Sequence, residues 1–203
     1  MVSSSSSDRL IIFVKNPVLG KVKTRLAKSI GDEMALEVYK YLLELTKAAT
    51  ETLASDKALY YSDFIAEDDN WPENNYTKKL QKGEALGRRM RNAFKDSFEE
   101  GFQKTVIIGS DCPQLTDEII NMAFDLLDNV DYVIGPAKDG GYYLLGMKNL
   151  YEPIFEDKEW GTDSVFDDTV LDILAAGKKY AKLPLLTDVD DAYDLHLVKE
   201  RFK

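Results

Sequence analysis

The sequence predicts a single α/β domain with a mostly parallel central sheet and helices on both of its faces. Short apolar runs typical of strands alternate along the chain with stretches of helical periodicity. The strand runs are continuously apolar, which indicates strands buried on both faces of a sheet. The length of 203 residues suits one domain, and no internal repeat or linker divides it. We therefore expect one domain at residues 9–203, preceded by a flexible, serine-rich tail at residues 1–8.

The first half of the chain is expected to begin with a buried strand at residues 10–14, the run LIIFV. A helical pattern starts near Thr24 and runs past Gly31. It carries apolar side chains at helical spacing, namely Met34, Val38, Leu42 and Leu45. A second strand is predicted at residues 58–61, a polar loop at residues 66–75 and an arginine-rich helix at residues 86–98.

The second half of the chain continues the alternation of strands and helices. Strands are predicted at residues 105–109, 132–135, 141–147 and 182–186. Helices are predicted to begin at Thr116, where Glu118 adds a partial capping signal, and to span residues 163–176 and 192–202. This order predicts that several strands end at the same edge of the sheet.

Composition and charge narrow the possible functions. The formal net charge is −10, so the surface repels nucleic acid and anionic lipid except where its basic residues cluster, between Lys15 and Lys28. The single cysteine excludes an intrachain disulfide and suits a reducing cytoplasm. No apolar run approaches the roughly 20 residues that span a bilayer, and the N-terminus has no secretory signal pattern.

The end of the first strand carries a candidate phosphate site. In a parallel sheet, ligands bind at the carboxyl ends of the strands, and the first strand runs into KNPVLGKVKTRL. A loop with Gly20 before a helix offers backbone N–H groups to an anion, and Lys15, Lys23 and Arg25 add positive charge. The Walker A pattern GxxxxGK[ST] is absent, and so is the pattern GxGxxG, which is typical of NAD sites. A solvated basic helix start is the alternative, but the agreement of charge, loop and position favours phosphate.

The segment GSDCPQL follows the strand at residues 105–109. Its Asp111 is placed to hold Mg²⁺, although an aspartate that merely caps the next helix is the alternative. Cys112 invites a nucleophile hypothesis, but a lone cysteine after a buried strand usually packs as a small apolar group. The only histidine, His196, is predicted on the last helix as a remote partner, and one His with one Cys makes a zinc site implausible.

Two further segments carry candidate site residues. The turn PAKDGGYY is either a plain hairpin turn or a substrate contact made by Asp139 and Tyr142, with small glycines giving access to the backbone. The last strand is followed by TDVDD, whose carboxylates repel one another unless a cation separates them. Asp191 can cap a helix, and Asp188 or Asp190 can supply a second metal ligand. We expect Asp111 and Asp190 to share one divalent cation.

Six segments together resemble a bacterial family of GT-A-type transferases. They are FVKNPVLGKVKTRL, QKGEALGRRM, GSDCPQL, GPAKDGGYYLLG, EWGTDSV and LLTDVDDAYDL. Members of that family are described as nucleotide-diphospho-sugar transferases, or as glycosyltransferases associated with radical-SAM and arsenosugar clusters. The resemblance covers about residues 10–198 and implies a Rossmann-like GT-A fold. KVKTRL and TDVDDAYDL are more distantly similar to phospholactate guanylyltransferase and other small nucleotidyltransferases.

The resemblance implies a role for each matching residue. Phosphates would be bound by Gly20, Lys23 and Arg25 with Lys15 nearby, and Mg²⁺ or Mn²⁺ by Asp111 and Asp190. The base would be bordered by Gln81 and residues 83–87, including Gly87. The sugar or acceptor pocket would be shaped by Asp139, Gly140, Gly141, Tyr142 and Trp160. Asn16 and Gly161 depart from the family pattern, which expects alanine and serine, and the GxGxRMG…K signature of nucleotidyltransferases is absent.

Two reactions fit these residues, with Asp111, Asp139 and Arg25 as the catalytic candidates. One is glycosyl transfer from a nucleotide sugar to a small-molecule acceptor, in which a divalent cation and Arg25 stabilise the leaving diphosphate. The other is transfer of a nucleoside monophosphate from a nucleoside triphosphate to a small phosphorylated or acidic acceptor. A non-catalytic nucleotide-binding module is the third reading, which the carboxylates and the basic loop disfavour. Nucleic acid is not expected as a partner, and the sequence leaves the oligomeric state open.

Overall fold

The computed structural model describes residues 7–198 and 200–202, so most of the predicted tail at residues 1–8 lies outside the described part. Seven strands form one sheet. They are β1 (Asp8–Val14), β2 (Asp56–Tyr61), β3 (Thr77–Leu80), β4 (Lys104–Ile108), β5 (Tyr132–Pro136), β6 (Tyr142–Met147) and β7 (Tyr180–Lys182). The helices are α1 (Thr24–Ile30), α2 (Asp32–Thr50), α3 (Leu86–Glu99), α4 (Asp117–Leu126) and α5 (Val165–Ala175), with 3-10 turns at Glu152–Phe155 and Asp194–Leu197.

The strand order is β3-β2-β1-β4-β6-β5-β7. The first four strands in this order run parallel, β6 runs antiparallel between β4 and β5, and β7 runs parallel to β5. As a result, β1, β4 and β5 end at the same edge of the sheet. The predicted mostly parallel sheet is confirmed, with β6 as its single reversed strand within the described residues.

The core lies on both faces of the sheet, as the continuous apolar runs predict. Leu10, Ile12 and Val14 of β1 join a cluster with α4, while Ile11 joins the opposite cluster with α3 and α5. A smaller cluster joins α1, α2 and residues near the C-terminus. Helices thus cover both faces. Among the described helices, none is both long and apolar enough to cross a membrane.

The predicted long helix beginning at Thr24 is wrong in one respect, because two helices replace it. Gly31 has φ 83°, a left-handed backbone that no α-helix accommodates, and it separates α1 from α2. Of the apolar residues at helical spacing, Val38 and Leu42 are buried, whereas Met34, in the first turn of α2, is 46% exposed.

Three further differences concern short elements. The edge strand β3 was not predicted, because its sequence TKKL lacks an apolar run. The strand expected at residues 182–186 lies at β7, and only an isolated bridge between Ala137 and Leu186 continues it. The helix expected at residues 192–202 is wrong. The described part of this segment forms a 3-10 turn at Asp194–Leu197, whose Asp194 carboxylate accepts from the amides of Asp190 and Asp191.

Candidate functional site

Two adjoining cavities open at the edge where β1, β4 and β5 end. The larger has a volume of about 460 Å³ and extends from Lys15 and Asp111 to Gln81 and Arg89. The smaller, of about 200 Å³, lies between the β5–β6 turn and the segment around Trp160. The two cavities share a wall formed by Phe13, Leu86, Gly109, Tyr142, Tyr143 and Asp188. A ligand with two parts can therefore occupy both at once.

A still larger cleft of about 700 Å³ lies between α2 and the loop that carries Phe64 and Trp71. Of the residues that the sequence proposes for the site, only Lys15 lines it. Three carboxylates, two tyrosines and one glycine of the β5–β6 turn border the cavities of about 460 Å³ and 200 Å³, which are therefore the candidate site. They are Asp111, Asp139, Asp188, Tyr142, Tyr143 and Gly141.

Lys23 lies between two of the predicted metal-binding carboxylates. Its Nζ is 3.1 Å from Oδ1 of Asp111 and 3.3 Å from Oδ1 of Asp190, and its side chain is 5% exposed. Burial alone would lower the pKa of the Lys23 ammonium, but the carboxylates of Asp111 and Asp190 outweigh burial and raise it. The cation that the structure places between these two aspartates is thus a side chain of the chain itself.

Asp190 binds two basic side chains. Its Oδ1 contacts Lys23, and its Oδ2 lies 2.8 Å from Nη2 of Arg25, whose own side chain is 70% exposed. The Asp190 amide donates to Oδ2 of Asp194 at 3.0 Å, which fixes the backbone. Asp190 therefore anchors the basic loop. The expectation that Asp111 and Asp190 share a divalent cation stays a prediction.

Asp188 has a carboxylate oxygen that accepts no hydrogen bond among the described residues. Its Oδ1 is buried and has no hydrogen-bond partner within the described part of the chain. Burial raises the pKa of Asp188 to about 7, and the nearby charges of Asp111 and Asp139 add to the effect. The Val189 amide donates to the Asp111 carbonyl at 3.0 Å, which joins the two carboxylate segments.

Asp111 and Asp188 suit a hard divalent cation. In residues 7–198 and 200–202, no three Asp, Glu, His or Cys side chains form a metal-binding cluster. Mg²⁺ does not require one, since it is commonly held by one or two carboxylates together with substrate phosphates and water. The orphaned buried oxygen of Asp188 beside Asp111 fits this donor set.

Tyr39 of α2 holds the ends of β1 and β4 together and was not identified from the sequence. Its hydroxyl accepts from the Lys15 amide at 2.8 Å and lies 3.1 Å from Oγ of Ser110. Tyr39 falls on the buried face of α2 with Ala35, Val38 and Leu42, so its spacing predicts only a core position. Lys15 itself is exposed, as is Gly20, which has φ 72° in the same loop.

Gln81 and Gly87, which the resemblance assigns to the nucleotide, both make internal contacts. Nε2 of Gln81 donates to the carbonyls of Val14 at 3.2 Å and Tyr60 at 3.0 Å. Gln81 thus shapes the wall of the larger cavity, with its amide donor already engaged. Gly87 lies beneath Trp160, and a Cβ at this position would come within 2.6 Å of the indole.

The turn between β5 and β6 is a hairpin turn and also borders the smaller cavity. Gly140 has φ 87°, and a Cβ here would lie 2.1 Å from the Asp163 carbonyl oxygen. Oδ1 of Asp139 accepts from the Gly141 amide at 3.0 Å. The two readings of this motif are therefore compatible, since the hairpin presents Asp139 and Gly141 to the cavity.

Apolar side chains, both aromatic and aliphatic, form most of the wall of the smaller cavity, and two carboxylates border it. Tyr142 and Trp160 meet edge to face with centroids 6.4 Å apart, and both line the cavity. Asp139 and Asp188 border it, and among the described lining residues there is no Lys, Arg or His. Aromatic faces with hydroxyl-accepting carboxylates suit an uncharged, hydroxylated group, whereas an anionic group would be repelled.

Cys112 is a packed thiol. It is buried, its Sγ lies 3.7 Å from the Thr187 carbonyl oxygen, and burial raises its pKa to about 12. His196 is exposed, and its Nδ1 lies 2.6 Å from the Tyr193 carbonyl oxygen. These environments favour the packing role over a thiolate nucleophile.

Two comparisons with known proteins concern most of the chain. A family model described as "Uncharacterized protein conserved in bacteria (DUF2064)" matches residues 45–162, more than half of the chain. A crystal structure from Desulfovibrio desulfuricans G20, of a protein provisionally named a nucleotide-diphospho-sugar transferase, is 32% identical with a TM-score of 0.86. That match covers 95% of this chain and 86% of the other.

Two more distant matches are a guanylyltransferase and a synthase by name. The 2-phospho-L-lactate guanylyltransferase of Methanocaldococcus vulcanius is 25% identical over 144 residues, which cover 69% of this chain and 62% of that relative. The match therefore spans less than two thirds of the length of the guanylyltransferase. The 4-diphosphocytidyl-2C-methyl-D-erythritolsynthase of Anaerococcus prevotii DSM 20548 is 11% identical with a TM-score of 0.59, covering 97% of this chain and 96% of the other. This last likeness concerns the fold alone.

Proposed function

The chain belongs to the bacterial family described as DUF2064, and from that premise we propose that it is a transferase that uses a nucleotide-activated donor. The reaction we propose is glycosyl transfer from a nucleotide-diphospho-sugar to a small acceptor. Two of the relatives are transferases by name, and the 32% identical structure is named for a nucleotide-diphospho-sugar.

The observation that best supports this proposal is the pair of adjoining cavities, which differ in the charge and polarity of the side chains that line them. The larger cavity has a cationic side chain, Lys15, at the end where Asp111 lies, which suits a diphosphate. The smaller cavity has a mostly apolar wall with aromatic faces and two carboxylates, and it suits a sugar that carries hydroxyl groups and no charge. Glycosyl donors combine these two parts in one molecule.

The basic loop would bind the diphosphate. Lys15 and Arg25 are exposed, and each can donate charge-assisted hydrogen bonds to phosphate oxygens. Asp111 and Asp188 would hold a divalent cation, which supplies positive charge to the departing diphosphate when bound. Arg25 adds a second positive charge at that position and is kept oriented by Asp190.

Asp139 is our candidate for the group that accepts a proton. It is exposed on a turn fixed by its contact with the Gly141 amide, and it borders the sugar-sized cavity. As the acceptor oxygen bonds to the anomeric carbon, the bond from that carbon to the diphosphate breaks. The hydroxyl proton passes to the Asp139 carboxylate, and the nucleoside diphosphate leaves.

A thermal-shift screen tests this proposal. Nucleoside diphosphates and nucleotide sugars are compared with and without Mg²⁺ or Mn²⁺. We expect at least one nucleotide sugar to raise the melting temperature more than its parent diphosphate does. Trp160→Ala should remove this additional shift and keep that of the diphosphate. Absence of stabilisation by every nucleotide and nucleotide sugar would overturn the proposal.

Nucleotidyl transfer is a second candidate, favoured by similarity to the M. vulcanius guanylyltransferase. In this reaction an acceptor phosphate attacks the α-phosphate of a nucleoside triphosphate and pyrophosphate leaves. The two candidates are separated by the product, because glycosyl transfer releases a nucleoside diphosphate and nucleotidyl transfer releases pyrophosphate. The absence of basic side chains among the described residues of the smaller cavity disfavours a phosphorylated acceptor there.

A further inference from the structure

We propose that the smaller cavity, between the β5–β6 turn and the segment around Trp160, selects a 6-deoxyhexosyl group over the corresponding hexosyl group. A 6-deoxyhexose carries a methyl group where a hexose carries a hydroxymethyl group. The inference rests on the proposed function in taking this cavity as the sugar site, and it goes further by naming the class of sugar.

The cavity admits one small ring in a defined direction. Its volume is about 200 Å³, whereas pockets for drug-sized ligands hold roughly 300–1,000 Å³. The wall that it shares with the larger cavity contains Asp188, and the proposed diphosphate lies beyond that wall. A sugar attached to this diphosphate has its anomeric carbon at the shared wall. Carbons 4 and 6, which are farthest from the anomeric carbon, then face the remaining part of the cavity.

That remaining part is lined mainly by apolar side chains. Five of them are buried and belong to the smaller cavity alone, namely Met90, Ile107, Ile108, Leu144 and Val165. A methyl group that packs against such side chains is stabilised by the removal of apolar surface from water. A hydroxyl group at the same place loses its hydrogen bonds to water and finds no replacement on this wall.

The side-chain hydroxyl groups of the cavity do not offer a replacement either. The Tyr143 hydroxyl donates to the Pro184 carbonyl at 2.9 Å, and the Thr162 hydroxyl donates to the Glu159 carbonyl at 2.8 Å. The Tyr142 hydroxyl is buried away from solvent, so a ligand in the cavity does not reach it. The hydrogen-bond donors on the wall are therefore engaged or inaccessible.

Two carboxylates are the main polar partners left for the sugar. Oδ1 of Asp139 already accepts from the Gly141 amide, and Oδ1 of Asp188 is buried with no partner in the described part of the chain. The Nε1 of Trp160 packs against α3, where it is among the three atoms nearest to a Cβ placed on Gly87. Because so few partners face the ligand, a sugar with one hydroxyl group fewer leaves fewer buried polar groups unsatisfied.

The experiment compares matched sugars that differ only at carbon 6. Saturation-transfer NMR measures the dissociation constants of free L-fucose against L-galactose, L-rhamnose against L-mannose and 6-deoxy-D-glucose against D-glucose. Calorimetry compares UDP-6-deoxyglucose with UDP-glucose and GDP-6-deoxymannose with GDP-mannose. We expect the deoxysugar of at least one pair to bind about ten- to a hundredfold more tightly, since an apolar pocket rejects an added hydroxyl group by up to about a hundredfold.

A pair of valine substitutions on α5 tests whether the apolar wall causes this selectivity. Val165→Thr adds a hydroxyl group to the wall at nearly constant volume. It should lower the ratio of the two dissociation constants about fivefold, which is the effect of one hydrogen bond. Val170→Thr is the matched control. It makes the same change on the same helix but lines neither cavity, so it should keep the wild-type ratio.

Equal affinities within every pair, or tighter binding of the hexoses, would overturn the proposal. Absence of binding by every deoxysugar, free or nucleotide-linked, would do so too. An unchanged ratio in Val165→Thr, with a wild-type melting curve, would overturn the assignment of the selectivity to this wall. If nucleoside diphosphates bind while the paired sugars are not distinguished, the proposed function stands and this inference fails. If free deoxysugars are selected and no nucleotide binds, the selectivity stands and the proposed function fails.

Discussion

At the scale of the residue, the sequence and the structure lead to different expectations for the stability of the variant Asp111→Asn. The sequence alone suggests that Asp111→Asn spares or raises the melting temperature, because it would relieve repulsion from Asp190. The structure places Lys23 between them, so the substitution removes an ion pair. We expect turnover to be abolished and the free energy of unfolding to fall by about 1 kcal/mol, since this pair is partly exposed.

The expectation for Asp111 is tested by two measurements on the same preparations. Chemical denaturation gives the free energy of unfolding, and release of the nucleoside diphosphate from a nucleotide sugar gives the turnover. Asp191→Asn is the matched control, because Asp191 is an exposed carboxylate nearby that makes no contact with Lys23 among the contacts described. Wild-type turnover in Asp111→Asn would exclude Asp111 from the reaction. An increase in stability would show that repulsion outweighs the pair with Lys23.

Cys112 gives a second prediction, on reactivity. Burial raises its pKa to about 12 from a reference of 9.0, so its thiolate fraction at pH 8 is roughly a thousandfold smaller than that of an unperturbed cysteine. We expect iodoacetamide to label the folded protein at least about a hundredfold more slowly than the protein unfolded in urea. Cys112→Ala should retain turnover. Rapid labelling of the folded protein, or loss of turnover, would restore the nucleophile hypothesis.

At the scale of the element, α3 packs against the indole of Trp160 at one residue, Gly87, where there is no room for a side chain. Gly87→Ala would place a methyl group 2.6 Å from the indole, so the ring must move from the wall of the smaller cavity. We expect the affinity for the nucleotide sugar to fall about tenfold, or about 1.4 kcal/mol, and that for the parent nucleoside diphosphate to stay unchanged.

Calorimetry measures both affinities, and tryptophan emission in a Trp71→Phe background reports the movement of Trp160. Arg88→Ala, at the exposed neighbouring position of α3, is the control for a general effect on the helix. Equal losses for sugar and diphosphate would mean that Gly87 serves the nucleotide directly, as the family resemblance implies.

The strands and helices that the sequence predicts well are those whose signal is local. Buried strands such as β1 and β4 appear as apolar runs, and Thr116 caps α4 as its hydroxyl predicts, accepting from the Ile119 amide at 3.4 Å. The edge strand β3 forms because β2 offers it a partner, which no local pattern reveals. The same holds for the site. Strand ends predict that Asp111, Asp139 and Asp190 approach one edge, but only the folded chain shows Lys23 between two of them.

At the scale of the whole molecule, the net charge of −10 opposes the approach of an anionic nucleotide, while the few exposed cations of the loop attract it. At about 0.01 M salt the Debye length is roughly 30 Å, so the nucleotide senses the full negative charge. At about 0.15 M it is roughly 8 Å, and the local cations dominate. We therefore expect the association rate constant to rise a few-fold between these salt concentrations. Stopped-flow tryptophan fluorescence measures it, and a steady fall with salt would contradict this expectation.

The reversed strand β6 has a consequence for how the chain is made. Strands β1 to β4 form a contiguous parallel block that leaves the ribosome first, with β4 as an open edge carrying the apolar run TVII. Its partner β6 is completed about 40 residues later, as the second arm of a hairpin. Nascent chains in that interval present an unpaired apolar strand, the kind of edge that recruits other chains. Biosynthesis is thus most vulnerable to aggregation between the emergence of β4 and that of β6.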